Sequence, residues 1–382
     1  MFCKNINEMN KYKIIRACTI SYSWDFVENM LPELKKHYEV VLLSSPGHEL
    51  DEVEVKYGVR GIRVQMERQI APKQDLISLW NLVKTFRKEK PRMVHSMTPK
   101  AGLLCMMAAW LTRVPVRVHT FTGLVFPTAT GLKKRILMFT DWLTCACATH
   151  VIPEGKGVMA DLRNNGITKK PMKVLGDGSV KGIDLKRFHG RRSANRSGKF
   201  TFLFVGRIVR DKGINELVEA FVKLNKKYEE CQLVLVGPFE DDLAPISSKT
   251  RQMIKACSDI EVVGEKLGDE LVDCYAAADC YVFPSYREGF PNTVLEAGAM
   301  GLPCVVTDIN GSREIIEEGR NGVVIPPRDS SALYQAMEHM ITDTDARERM
   351  AANARESIVS RFDQDFVRQY LINYYDEIMA NV

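Results

Sequence analysis

Short apolar runs alternate with longer stretches of helical period along most of the 382 residues. In the first half, residues 13–20, 39–45, 61–66, 92–97, 116–121, 150–153 and 172–175 read as strands. Several are continuous apolar runs, as expected for a parallel sheet covered on both faces. Helical patterns lie between them, for example over 75–88 and 102–111. Residues 190–198 are polar and bounded by glycines, and read as a linker. A second series of strands comes at 200–205, 232–236, 261–263, 280–283, 304–307 and 322–325, with helices such as 213–228 and 271–278 between. The expectation is an α/β chain of two doubly wound domains, 1–189 and 199–363. The tail 364–382 contains a helix at 364–379, rich in aromatic residues (Phe366, Tyr370, Tyr374, Tyr375), expected to pack back on the first domain.

Length agrees with two cores rather than one. A hydrophobic content of 45% and a charged content of 26% are those of a soluble globular protein. No basic start followed by an apolar run marks a signal peptide. The apolar run 101–111 is too short to span a bilayer. Residues 136–152 are also apolar but contain Asp141 and His150, and read as a buried helix leading into a strand. Ten cysteines without a C-x-x-C pair predict buried reduced thiols and a cytoplasmic location.

Charge is distributed unevenly. Residues 1–190 hold 30 Lys and Arg against 17 Asp and Glu, although the whole chain is only +5. The charge alone leaves an anionic lipid surface, a nucleic acid or a merely solvated face open. Lys133-Lys134-Arg135 beside Leu132, Ile136 and Leu137 reads either as a membrane-surface patch or as a solvated basic face.

The first strand is followed by Ser21-Tyr22-Ser23-Trp24-Asp25, not G-x-G-x-x-G, and no G-x-x-x-x-G-K-[ST] occurs. A dinucleotide dehydrogenase and a P-loop enzyme are therefore disfavoured. More informative is Glu288-Gly-Phe-Pro-Asn-Thr-Val-Leu-Glu296. Gly289 and Pro291 break regular structure, Asn292 can cap the next element, and 293–300 reads as a helix. One carboxylate then sits on a loop and the other about one turn into the helix. The helix start between them suits a phosphate. After the first strand of the second domain come Val205-Gly206-Arg207 and Asp211-Lys212-Gly213, two cations placed to hold a diphosphate. Surface salt bridges at a strand end would give the same pattern.

Gly206-Arg207…Lys212-Gly213, Val236-Gly237, Gly264-Glu265-Lys266, Pro284-Ser285…Glu288-Gly-Phe-Pro-Asn and Glu296-Ala-x-Ala-x-Gly-x-Pro303 occur in this order. The set resembles glycosyltransferase family 4, whose members are retaining enzymes of GT-B fold: two facing Rossmann-like domains with a cleft between them. His95-Ser-Met-Thr-Pro-Lys-Ala-Gly102, Val118-His-Thr-Phe-Thr-Gly123 and Gly182-Ile-Asp-Leu-Lys-Arg-Phe188 resemble the branch that builds bacterial capsule, lipopolysaccharide or lipid-linked oligosaccharide.

The resemblance implies that the donor is a nucleotide-sugar, most often a UDP-sugar. It puts Arg207 and Lys212 on the diphosphate, Glu296 on the ribose and Glu288 at the donor sugar. Gly289, Phe290, Pro291, Asn292 and Thr293 shape that site, and Gly264, Glu265 and Lys266 line the base. His119 matches a first-domain histidine that approaches the donor sugar, so the catalytic set is Glu288, His119, Arg207 and Lys212. His95, Lys100, Thr122 and Gly123 are acceptor-side candidates. His95 and His119 also suit strand-end core histidines. Trp24 and Tyr22 stand where many members carry glycine.

The implied partners are a nucleotide-sugar donor and a saccharide or undecaprenyl-diphosphate-linked saccharide acceptor, with no nucleic acid, while the basic charge of the first domain leaves an anionic membrane surface open as a further partner. No cofactor or metal is expected. The implied location is cytoplasmic or peripheral on the inner face of the plasma membrane. Two rivals remain open: a sugar-nucleotide epimerase or hydrolase of the same fold, and an inactive sugar-nucleotide-binding subunit.

Overall fold

The computed structural model describes residues 11–190, 198–241 and 244–380. Residues 191–197 of the expected linker lie outside the described residues. The chain forms two compact units. The first takes the chain up to Glu154, then Val158–Lys181, and again from Val367 onward. The second comprises Gly155–Gly157 and Gly182–Phe366. The division thus falls at Lys181 and Gly182, ahead of the polar stretch, because Ile183 and Phe188 are buried in the second unit's core.

In the first unit the order is β1 (Lys13–Ala17), α1 (Leu31–His37), β2 (Glu39–Ser44), α2 (His48–Tyr57), β3 (Arg60–Arg63), α3 (Pro72–Glu89), β4 (Met93–Met97), α4 (Pro99–Leu111), β5 (Val116–Phe121), α5 (Gly131–Cys147), β6 (His150–Pro153) and α6 (Lys156–Asn164). All strands are parallel, in the order β3-β2-β1-β4-β5-β6. One face of this sheet is covered by α3, α4 and α5, and the other by α1 and α2. β4 is buried at all five positions, and His95 within its otherwise apolar and small-residue sequence is buried too.

The second unit runs β7 (Phe200–Val205), α7 (Ile214–Asn225), β8 (Cys231–Val236), α8 (Ser248–Ala256), β9 (Ile260–Gly264), α9 (Gly268–Ala276), β10 (Cys280–Phe283), α10 (Asn292–Ala299), β11 (Cys304–Thr307), α11 (Ser312–Ile315), β12 (Gly322–Ile325), α12 (Ser330–Thr342) and α13 (Thr344–Phe362). Its parallel sheet is ordered β12-β11-β10-β7-β8-β9, the same topology as the first. The last helix, α14 (Gln364–Ala380), buries Leu371, Tyr374, Tyr375 and Ile378 in the first unit.

Three local expectations change. Residues 172–175 form no strand. Met172 makes only an isolated bridge to Val151, with Pro171 before it offering no N–H. The helix read over 136–152 starts earlier, at Gly131, and is not buried. Only Thr144, Cys145 and Cys147 are buried on α5: Leu137, Met138 and Leu143 pack part-buried against the core, and Leu132, Ile136, Phe139 and Trp142 are exposed. Trp24, read on a first loop, lies in a six-residue 3₁₀ segment, buried, with its indole N–H donating to Ser44 Oγ at 3.1 Å.

The nine described cysteines are free thiols. No helix among the described residues is long and apolar enough to cross a membrane.

Candidate active site

In a doubly wound sheet, ligands bind beyond the carboxyl ends of the strands where the strand order reverses. In the second unit that point lies between β7 and β10. The loops leaving these two strands carry Arg207, Lys212 and Glu288. Gly213 brings them together. It sits at φ +74°, and a Cβ there would lie 2.0 Å from the carbonyl oxygen of Pro284. Only glycine tolerates both the left-handed backbone and that approach.

Across this junction Lys212 Nζ forms an ion pair with Glu288 Oε1, both side chains less than a fifth exposed. The ammonium also lies 5.0 Å from the centre of the Phe283 ring. Ser285 Oγ donates to the same Glu288 oxygen at 2.7 Å. Tyr286 N–H donates to the Asp211 carbonyl at 2.9 Å, and Thr307 Oγ to the Ser285 carbonyl at 2.5 Å. The carboxylate is therefore oriented by two partners on a loop that is itself tied down. Sequence reasoning named Glu288 and Lys212 but not Ser285 as its orienting partner, although Ser285 stood among the motif residues.

Arg207 is not part of that pair. Its Nη1 meets Glu240 Oε2 at 2.7 Å, and the side chain is 43% exposed. An exposed pair of this kind is weakly held, so the guanidinium is readily given up to a better anion.

Asn292 does not cap α10. Pro291 occupies the N-cap position, and Asn292 is the first helical residue, from which its side chain makes no capping bond. Its Oδ1 is buried without a hydrogen-bond partner. Gly289, Phe290 and Pro291 are buried, and the Phe290 ring packs 5.3 Å from that of Phe362. Thr293 and Glu296 are half-buried. Glu296 Oε2 accepts from the hydroxyl of Tyr275 at 2.8 Å. Tyr275 is fully buried on α9 and was not singled out from the sequence, where it looked like any core position.

Gly264 ends β9 at φ +74°. Glu265 after it is exposed, and half-buried Lys266 stands 3.5 Å from Glu270.

In the first unit, His119 on β5 is buried. It pairs through Nδ1 with Ser96 Oγ at 2.9 Å and meets the Phe121 ring edge-on at 4.5 Å. Gly102 on α4 makes room for it, since a Cβ there would lie 2.4 Å from the imidazole. Burial pushes its pKa down to about 3, with Ser96 opposing, so the ring is neutral at ordinary pH. His95 is also buried, and both its nitrogens are engaged, by the Tyr375 hydroxyl and by Thr120 Oγ1 at 2.7 Å. Lys100 is paired with Asp75 at 2.6 Å. Thr122 and Gly123 follow β5, half-buried.

The order reversal in this sheet lies between β1 and β4. There Thr98, at φ +75°, accepts from the Thr19 N–H at 3.0 Å. Among the described residues no cluster of three or more His, Cys, Asp or Glu could hold a metal ion.

A model described as group 1 glycosyl transferases matches residues 186–357, and a glycosyl transferase 4-like domain model matches residues 23–178. The Staphylococcus aureus capsular polysaccharide biosynthesis glycosyltransferase CapM is 30% identical, over 97% of this chain and 98% of its own. The Escherichia coli UDP-Gal:alpha-D-GlcNAc-diphosphoundecaprenol alpha-1,3-galactosyltransferase is 29% identical over 78% of each chain. Among solved structures, Anabaena HepE in complex with UDP and glucose superposes with a TM-score of 0.77 at 17% identity, covering 96% of this chain and 100% of that one.

Two sheets of this topology, matched along nearly their whole length by such proteins, define a GT-B enzyme of hexosyl transfer. The chain belongs to glycosyltransferase family 4.

Proposed function

We propose that the enzyme transfers a hexose or N-acetylhexosamine from a UDP-sugar to an undecaprenyl-diphosphate-linked saccharide, in bacterial surface-polysaccharide synthesis. The observation that carries this reading is the Lys212–Glu288 pair, set at the strand-order reversal of the second unit. A cation and a carboxylate there suit the diphosphate and the sugar hydroxyls of one donor. The names of CapM and of the E. coli galactosyltransferase support the acceptor class.

In this reading Arg207 leaves Glu240 for the diphosphate, and Lys212 is shared between the diphosphate and Glu288. The N-terminus of α10 adds its dipole, and the unpartnered Asn292 Oδ1 accepts a donor hydroxyl. Glu296, held by Tyr275, takes the ribose hydroxyls. Gly264, Glu265 and Lys266 line the base.

Transfer proceeds with retention. The bond from the anomeric carbon to the diphosphate breaks as the acceptor oxygen bonds on the same face. The acceptor proton passes to the departing phosphate, whose charge Arg207 and Lys212 stabilise. Both glutamates lie on the donor side, so neither serves as a glycosidase-type nucleophile. His119 stays neutral and contributes hydrogen bonding rather than charge. No metal takes part.

The test is a donor screen that measures nucleoside diphosphate release with lipid-linked saccharide acceptors, followed by NMR of the product's anomeric configuration. Release of UDP with an α-product from an α-donor supports the reading. Interconversion of a UDP-sugar without acceptor would replace it with epimerisation, and an inverted product would overturn the mechanism.

A further inference from the structure

The outer side of the α3–α5 layer is unusually apolar for a surface facing water. Nine of the seventeen exposed large hydrophobic side chains among the described residues lie on these three helices. Three of the four tryptophans are among them: Trp80 at 55%, Trp110 at 57% and Trp142 at 48% exposure. The fourth, Trp24, is fully buried.

The placement follows helical spacing. On α3, Lys73, Ile77, Trp80 and Lys84 recur at intervals of three and four, and the Lys84 ammonium lies 5.4 Å from the Trp80 ring centre. On α5, Leu132, Ile136 and Phe139 make one stripe, and Phe139 stacks on Trp142 at 5.7 Å. The inward side of each helix is used up by the sheet, through Leu82 and Phe86 on α3 and through Cys145 and Cys147 on α5. These outward rows are therefore a surplus beyond what the fold needs, and a monomer in water gains nothing from them.

The polar residues beside them are mostly cationic. Lys133 and Arg135 are exposed on α5, as are Lys73 and Lys84 on α3 and Arg113 just after α4. The acid at the head of α3, Asp75, is taken by Lys100. The one acid on α5, Asp141, is half-buried. Indole rings and aliphatic groups interleaved with lysine and arginine match the boundary of a bilayer, where rings sit at headgroup depth and cations meet anionic phosphates.

We infer that the outer surface of α3, α4 and α5 is a docking face for an anionic lipid bilayer. Trp80, Trp110, Phe139 and Trp142 enter the interface, and Lys133 and Arg135 hold the phosphates. The inference agrees with the membrane-borne acceptor of the proposed function but does not depend on catalysis. Binding is read with vesicles that contain no acceptor.

The experiment is co-sedimentation of the full chain with phosphatidylcholine vesicles containing or lacking phosphatidylglycerol, together with tryptophan quenching by brominated lipid. The expected result is binding that requires phosphatidylglycerol, weakens at least tenfold between 50 and 500 mM salt (on the order of the loss several screened cations give), and quenches most of the fluorescence. The double variant Phe139→Asp/Trp142→Asp should lose binding and keep its far-UV circular dichroism and its UDP release with a detergent-free soluble acceptor. Lys133→Glu/Arg135→Glu should lose binding with the apolar residues intact, which covers the case in which the aspartate variant misfolds. Vesicle binding that both variants retain would overturn the inference. So would no vesicle binding together with a dimer that the Phe139→Asp/Trp142→Asp variant dissociates, because the face would then be an interface between copies. Failure of UDP release in the donor screen, with vesicle binding intact, would sink the proposed function and leave this face standing.

Discussion

Lys212 and Glu288, 76 positions apart in the chain, form an ion pair that joins the loop after β7 to the loop after β10. Each side chain is mostly buried, so removing one leaves the other charge poorly solvated. Lys212→Ala and Glu288→Ala are each expected to lower kcat about 100-fold or more, the scale of losing one group that stabilises developing charge. Both should remain folded by circular dichroism. Glu288→Gln keeps the hydrogen bond from Ser285 and should fold as well as the parent, yet recover little activity, because charge is what the site needs. Full activity in either alanine variant would remove these residues from the mechanism.

The Tyr275–Glu296 hydrogen bond allows a test of ribose recognition. Tyr275→Phe removes the donor that orients Glu296 and costs about 1 kcal/mol of stability, the ordinary worth of one such bond. Titration calorimetry should then show weaker binding of UDP, by roughly fivefold for about 1 kcal/mol. Binding of a uridine diphosphate analogue without ribose hydroxyls should be unchanged. An equal loss for both nucleotides would place Glu296 elsewhere.

Much of this was legible in the sequence because buried parallel strands leave unbroken apolar runs. The strands at 116–121, 150–153, 200–205, 280–283, 304–307 and 322–325 have the expected bounds. The parallel sheets follow from such runs, and glycine- and proline-marked loops pointed to Lys212 and to Glu288 separately, but the ion pair between them appears only in the folded unit. What failed depended on which way a residue faces. On α5 the apolar residues suggested burial, but periodicity does not tell a core stripe from an exposed one. Asn292 had the chemistry of a cap, but Pro291, whose φ of −73° is fixed by its ring, took that position one residue earlier. Ser285 and Tyr275 were invisible as partners because they meet their glutamates only in the folded unit.

The same loop junction predicts a backbone-sensitive position. Gly213→Ala must hold φ at +74° and displace the Pro284 carbonyl, which a Cβ would approach to 2.0 Å. A loss of about 2–4 kcal/mol is expected from strain plus steric clash, read as a lowered denaturation midpoint. Activity measured well below that midpoint should fall too, because the clash pushes the Lys212 loop away from the Glu288 loop. Gly264→Ala is the control. It carries the same sign of φ, but a Cβ there meets nothing within 4 Å, so only the conformational part of the loss should appear.

Acid stability should depend on the two buried histidines. Arg16 on β1 lies beside His95, whose pKa is held well below the usual histidine range by burial and by the Arg16 charge, while Tyr375 from α14 contacts its ring. His119 is held at about 3, mainly by burial, with Ser96 from β4 and Phe121 from its own strand against it. In the folded state both rings stay neutral, whereas in the unfolded chain both take up a proton near the ordinary value of about 6.5. The unfolded state therefore binds more protons below that pH, and stability falls as pH drops from about 6.5 toward 3. His119 contributes a slope of up to about 1.4 kcal/mol per pH unit in that window, and His95 acts in the same direction. His119→Gln is expected to be less stable at pH 7, through lost packing beneath Gly102, but to lose less on acidification. Chemical denaturation of both proteins at pH 7, 6 and 5 measures the difference. Parallel slopes would show that His119 is protonated in the folded state, contrary to its burial.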